Sequence, residues 1–180
     1  MTAVDDVVQI DDRWYVLATS SRADDRTRVL KHGESFGVFD RYGDIHHLIN
    51  GEQGLYHEGT RFLSHFELRV NEQRPLLLNS TVKRDNTLLV VDLTTPDLYE
   101  GGRLTIRKGT LHMFRSKLLS GGVHYEHIRL TNYGHEPIDI RLDLHFGADY
   151  ADIFEVRGIA RARRGTIRPA SRRGNELLLS

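Results

Sequence analysis

The sequence predicts an all-β protein, an antiparallel β-sandwich of the supersandwich kind, and three observations carry that expectation. The clearest is the stretch after Pro137. Ile138, Ile140, Leu142, Leu144 and Phe146 alternate with Asp139, Arg141, Asp143 and His145, a period of two with one apolar and one polar face. Second, roughly nine or ten strand-like runs recur at spacings of about 10–15 residues, the rhythm of a sandwich. Third, no run has helical period over a helical length. A short helix or turn is expected only near 149–156.

Taken in order, residues 1–13 read as a flexible acidic lead-in, and 14–180 as one sandwich domain. Trp14 to Ala18 is a strand, followed by a polar loop from Thr19 to Arg28. Ser35 to Asp40 is the next strand, closed by the turn signal Arg41-Tyr42-Gly43-Asp44. After a loop at 51–54, Phe62 to Val70 alternates, with Phe62, Ser64, Phe66, Leu68 and Val70 on one face. Leu76 to Ser80 returns after a turn at 71–75. Thr87 to Leu93 holds an apolar run that suits burial on both faces. Leu104 to Lys108 and Leu111 to Leu119 are strands. Gly121-Gly122 turns the chain into Val123–Asn132, and a short connection through Pro137 makes a hairpin with the 138–146 strand. Glu176 to Ser180 starts a further strand, so the chain reads as the N-terminal part of a longer protein.

Composition removes several function classes. Lys plus Arg and Asp plus Glu both number 25, so net charge gives no pull toward nucleic acid or an anionic membrane. With no cysteine there is no disulfide framework, thiol nucleophile or thiolate metal site, and a reducing cytoplasm fits. Met1 to Asp12 lacks the apolar core of a signal peptide. No run approaches the roughly 18 apolar residues that span a bilayer. There is no Gly-x-Ser-x-Gly elbow and no glycine-rich phosphate loop.

Asp149, Asp152 and Glu155 are the best carboxylate group. Glycoside hydrolysis uses two carboxyls about 5–10 Å apart, one protonated and one ionised. A spacing of three places such groups on one helical turn. The plainer alternative is that they solvate a bend or bind arginines such as Arg157. Arg61 enters a strand from a loop, where an arginine can grip a carboxylate, stack on a sugar, or pin the loop. His57 and Glu58 share that loop and either touch substrate or stay solvated. The ten histidines do not make a metal site: His124 and His127 point to opposite faces of a strand, and His124 with Glu126 supplies half a ligand set. No metal and no cofactor are expected. Arg157, Arg161, Arg163, Arg164, Arg168, Arg172 and Arg173 form a run with no acid between Glu155 and Glu176. It can meet phosphate or an acidic protein surface, and its lack of interleaved aromatics argues against stacking on single strands.

Several segments together resemble a known family over about residues 28 to 180. They are Ser35-Phe36 with Gly43-Asp44-Ile45, then Gly54-Leu55-Tyr56-His57-Glu58-Gly59-Thr60-Arg61-Phe62-Leu63-Ser64, Leu76-Leu77-Leu78-Asn79-Ser80, Ala148-Asp149, and Asp152-Ile153-Phe154-Glu155-Val156-Arg157-Gly158. The resemblance is to the N-terminal domain of bacterial-type glycogen debranching enzymes, the amylo-alpha-1,6-glucosidase group. One position departs: Gly59 stands before Thr60-Arg61 where some members carry an acid. The resemblance implies a β-sandwich ahead of a catalytic (α/α)6 barrel that hydrolyses α-1,6 branch linkages with its own acids. This domain would then be non-catalytic. It would brace the downstream barrel of the same polypeptide and touch α-glucan through 54–64 and 149–158. The rival expectations are a stand-alone carbohydrate-binding module and, less well supported, a nucleic-acid-binding sandwich using 157–173. A sandwich cut short bares an edge or an apolar face, so the isolated chain is expected to dimerise.

Overall fold

The computed structural model describes residues 7–10, 13–16, 27–46, 51–161, 163 and 165–180. Most of the expected lead-in and of the 19–28 loop lies outside these residues, as do Ala18, His47 and Arg164. Within the lead-in, β1 (Val7–Ile10) pairs antiparallel with β2 (Arg13–Val16).

The expectation of an all-β, sandwich-like fold holds. One four-stranded sheet runs β3 (Arg28–His32), β4 (Ser35–Phe39), β6 (Gly54–His57), β7 (Thr60–Leu63). A second, in spatial order, is β14 (Val123–Asn132), β13 (Leu111–Ser120), β10 (Leu88–Thr94), β9 (Leu76–Val82). A third joins β15 (Leu142–Gly147), β8 (His65–Val70) and β5 (Ile45–His46). Two more hairpins complete the described strands: β11 (Leu98–Glu100) with β12 (Arg103–Ile106), and β16 (Ser171–Arg173) with β17 (Glu176–Leu178). The helix expected near 149–156 is α1 (Ile153–Val156). All pairings are antiparallel.

One apolar cluster takes residues from all three larger sheets: Leu30 and Phe39 from the first, Leu89, Val91, Leu93 and Met113 from the second, and Ile45, Phe66, Leu68 and Val70 from the third. Each large side chain buried this way contributes about 1.5–3 kcal/mol. The β10 run is buried on one face only. Leu89, Val91 and Leu93 are inside, while Leu88, Val90 and Asp92 are half-buried on the other side. The outer face is only half-buried, so the apolar run does not make a strand buried on both faces.

Two further expectations are corrected. The run from Phe62 to Val70 is not one strand. Ser64 breaks it, donating from its backbone N–H to the Gly147 carbonyl, and the chain passes from β7, paired with β6, to β8, paired with β5 and β15. Phe66, Leu68 and Val70 are therefore in the core while Phe62 is 48% exposed. The expected hairpin between 123–132 and 138–146 does not form. β14 spends its ladder on β13 in unbroken register from Ser120↔Val123 to Leu111↔Asn132, through a Gly121-Gly122 turn in which both φ are positive. The 132–136 connection closes on itself, with the Asn132 side chain bonding the Gly134 N–H and the Glu136 carbonyl. The Asn71 N–H then donates to the Arg141 carbonyl and the Arg141 N–H to Asn71 Oδ1, and β15 pairs with β8, Phe146 opposite Phe66. The apolar face of this shorter strand is partly open: Leu142, Leu144 and Phe146 are 36%, 41% and 42% exposed.

The same cluster holds charges. On β13, Leu111, Met113, Arg115, Lys117 and Leu119 all point inward, so a guanidinium and an ammonium sit at 0% exposure. Arg115 donates to Asp44 at 2.6 Å and to Glu126 at 2.7 Å, and Lys117 donates to Glu126 at 2.6 Å. Arg74 bridges Asp40 and Asp44 from the other side and lies 3.8 Å over the Tyr42 ring. Lys117 Nζ also stands 4.2 Å from the Phe66 ring centre. The turn at 40–44 is thereby tied to β13 and β14 by paired charges rather than by apolar contact alone.

Candidate functional site

Two loops singled out by the sequence, 51–64 and 149–158, meet in the structure. The first is a hairpin whose turn residues Glu58 and Gly59 have φ of +47° and +78°. A methyl group on Gly59 would meet nothing closer than Ile153 Cγ2 at 3.9 Å. The left-handed backbone, not space, therefore selects glycine here. Gly54 is different: a Cβ there would fall 2.4 Å from Arg61 Cδ, so the arginine stem lies across a position that only glycine leaves open.

Arg61 is buried and fully used. Its Nε and Nη2 donate to the two carboxylate oxygens of Asp149 at 3.1 and 2.6 Å, and its Nη1 donates to the carbonyls of Gly51 and Gln53 at 2.6 and 3.2 Å. Burial opposes the charge on Arg61, but Asp149 outweighs it and holds the guanidinium above its ordinary pKa. Of the readings open to Arg61, the grip on a carboxylate and the pinning of the loop are thus one and the same contact.

Asp152 and Glu155 form a capping box. The Asp152 carboxylate accepts from Phe154 N–H at 2.8 Å, and Glu155 accepts from Asp152 N–H at 2.9 Å. The backbone completes the seam: Arg61 N–H to Ala151 O and Ile153 N–H to Gly59 O, both 2.8 Å, around a bridge between Thr60 and Asp152. The arginine beside Glu155 is Arg161, at 3.6 Å; Arg157 closes the helix with its backbone and exposes its side chain. Glu58 is exposed, and its backbone N–H bonds the Glu34 carbonyl at 3.2 Å. His57 Nδ1 pairs with Ser35 Oγ at 2.9 Å.

Asp152 and Glu155 share the capped turn, Asp149 lies ahead of that turn on Arg61, and each of the three is spent on geometry. A glycosidase pair needs one acid to protonate the leaving oxygen and another to attack or to activate water. These carboxylates instead hold a guanidinium and a helix terminus. The Asp152 cap has a measurable value: Asp152→Ala is expected to cost about 1 kcal/mol. It should also speed amide exchange at Ile153 and Arg61, read by hydrogen-exchange mass spectrometry.

The sequence reading missed the buried charges. Burial and the nearby Arg115 push the Lys117 ammonium down to about 7, with Glu126 opposing. Burial, then Lys117, pushes the His124 imidazole down to about 4. Asp40 is raised by burial and by Asp44. Asp40, Asp44 and His46 offer atoms within 4.8 Å of one another, the spacing of a metal cluster. Arg74 already bonds both carboxylates, and Arg115 bonds Asp44, so arginines supply the positive charge there. The signal was present: Arg115 and Lys117 fall on the apolar phase of the 111–119 alternation.

Among known proteins, neither the curated proteins nor the solved structures contain a significant match to this chain. A family model does match, from residue 30 to residue 180, and it describes the N-terminal domain of some glycogen debranching enzymes. That span includes the Arg61–Asp149 seam, the capped turn at 152–155 and the buried charges of β13 and β14, and with most of its length matched the chain belongs to this family of glycogen-debranching N-terminal domains.

Proposed function

We propose that this chain is a non-catalytic domain of an amylo-alpha-1,6-glucosidase-like glycosidase that braces the catalytic barrel and contributes to glucan binding. The observation that supports it is the commitment of Asp149, Asp152 and Glu155 to structural bonds, which makes the 149–158 turn a support rather than a reaction centre. Two surfaces suit the bracing role. Leu142 and Leu144 present a partly exposed apolar strip. Beyond it, Arg157, Arg161, Arg163, Arg168, Arg172 and Arg173 are all exposed, and Ile159, Ile167, Leu177 and Leu178 stand exposed among them. Arginine with aliphatic anchors is a protein-interface composition. No helix among the described residues is long and apolar enough to cross a membrane; we place the domain in the cytoplasm.

The purified 180-residue chain is expected to release no reducing ends from a branched glucan, and the same strip should drive its self-association, seen as a dimer by light scattering. In the full-length enzyme, Leu144→Glu should lower the melting temperature of the catalytic part while leaving the isolated domain folded. Glucan hydrolysis by the 180-residue chain, abolished by Asp152→Asn, would sink the proposal. So would a full-length enzyme indifferent to Leu144→Glu.

A further inference from the structure

A cavity of about 640 Å³ opens beside the 54–64 hairpin, between β6, β7, the start of β14 and the C-terminal hairpin. Leu55, Leu63, Leu119, Leu177 and Leu179 form its walls, and Phe62 and Phe146 turn partly exposed rings toward solvent at its border. Phe62 is held in place by the edge of Tyr150, with ring centres 5.9 Å apart and planes at 87°. Five side chains with polar groups interrupt the apolar lining: Ser35, Tyr56, His57, His124 and Asn175, the Tyr56 hydroxyl donating to the Glu52 carbonyl at 2.9 Å. Ser35 and His57 are paired with each other. His124 packs between the Phe39 and Phe66 rings, and its Nε2 is buried without a hydrogen-bond partner among the described residues. No Asp, Glu, Lys or Arg is among the described residues that line the cavity.

An apolar cavity of this size with a few convergent polar groups and a perturbed histidine has the composition of a ligand site. The lack of lining charge selects against phosphates and carboxylates, whose burial without a counter-charge is costly. The neutral imidazole of His124 has one donor and one acceptor nitrogen, the Asn175 amide has an NH2 with two donor hydrogens and an acceptor oxygen, and the pattern suits hydroxyls that both give and accept. The exposed rings suit the flat C–H face of a pyranose. A ligand with an apolar face and a rim of hydroxyls, and no charge, meets all of these conditions.

We propose that this cavity binds one neutral glucosyl unit, the end of an α-glucan chain, against Phe62 and Phe146 with its hydroxyls on His124 and Asn175. This deepens the glucan-binding part of the function proposed above and rests on it. Of the residues the sequence marked on this loop, His57 lines the cavity beside Phe62, whereas Arg61 and Asp149 are not in its lining.

The test is titration of the 180-residue chain, by calorimetry and ligand-observed NMR, with maltotetraose, glucose and glucose 6-phosphate. Maltotetraose is expected to bind, glucose to bind more weakly, and glucose 6-phosphate to be the weakest. Phe62→Ala and Asn175→Ala should each lower maltotetraose affinity at least tenfold. Both positions are exposed, so the variants should keep the parent circular dichroism spectrum, while Tyr99→Ala on β11 should bind as the parent does. Maltotetraose binding that ignores Phe62→Ala and Asn175→Ala would overturn the site and leave the glucan reading standing. No maltotetraose binding at millimolar concentration would overturn both. Preference for glucose 6-phosphate would overturn the argument from the missing charge.

Discussion

Asp44→Ala is expected to destabilise the isolated domain by about 3–5 kcal/mol, the usual cost of stripping one partner from a buried ion pair. Asp44 is 1% exposed and accepts from Arg115 Nη1 at 2.6 Å, from Leu68 N–H at 3.3 Å and from Arg74 at 3.3 Å. Its removal leaves Arg115 at 0% exposure with Glu126 as its remaining acid, and Glu126 is already shared with Lys117. Two cations then face one carboxylate out of reach of water. At this chain length the loss corresponds to roughly 10–15 °C in melting temperature. Thermal unfolding of Asp44→Ala beside Glu100→Ala, an exposed residue of β11, checks it; the second should stay within about 0.5 kcal/mol of the parent. A shift for Asp44→Ala no larger than the one for Glu100→Ala would mean that the network carries no net stability.

Acid should weaken the fold as pH drops below neutrality, because of His124. Its folded value of about 4 lies below the ordinary 6.5. Between those two values the unfolded chain binds a proton that the folded chain refuses, so stability falls as pH drops through 6.5 and levels off only below about 4. Between pH 7 and pH 5 the loss amounts to about 2 kcal/mol for this single group. Lys117, with its folded value pushed to about 7 from 10.5, acts with the same sign at higher pH: the unfolded chain takes the proton first, so stability rises from pH 7 toward 10. Urea midpoints at pH 5 and 7 should differ in the parent and converge in His124→Gln. Equal pH dependence in both proteins would remove His124 as the cause.

Much of this fold was legible because it follows from period and turn chemistry. Apolar runs bounded by turn signals mark Ser35–Phe39, Leu76–Val82, Leu88–Thr94, Leu111–Ser120 and Val123–Asn132, and the glycines at 121–122 mark a tight reversal. The break at Ser64 was not legible, because a small polar residue in the apolar phase looks the same whether the strand continues or changes sheets. The partner of 142–147 was hidden for a related reason. Alternation shows which face is apolar but not which neighbour it meets, and nothing local marks β8 as that neighbour. At the site, the seam of 51–64 with 149–158 was legible as two loops but not as one object. Arg115 and Lys117 were overlooked because inward-pointing charges contradict the rule that makes strands readable at all.

The pairing of β15 with β8 also shapes how the domain is made. As the polypeptide emerges from the ribosome, His65–Val70 must wait for most of the remaining sequence before its second neighbour exists. Closing so long a loop comes late and slowly. Until then one side of β8 is a bare template, and any strand that arrives first can take the place of Leu142–Gly147. Synthesis of this domain therefore contains a window in which crowding and translation speed, rather than final stability, decide whether the correct ladder is built.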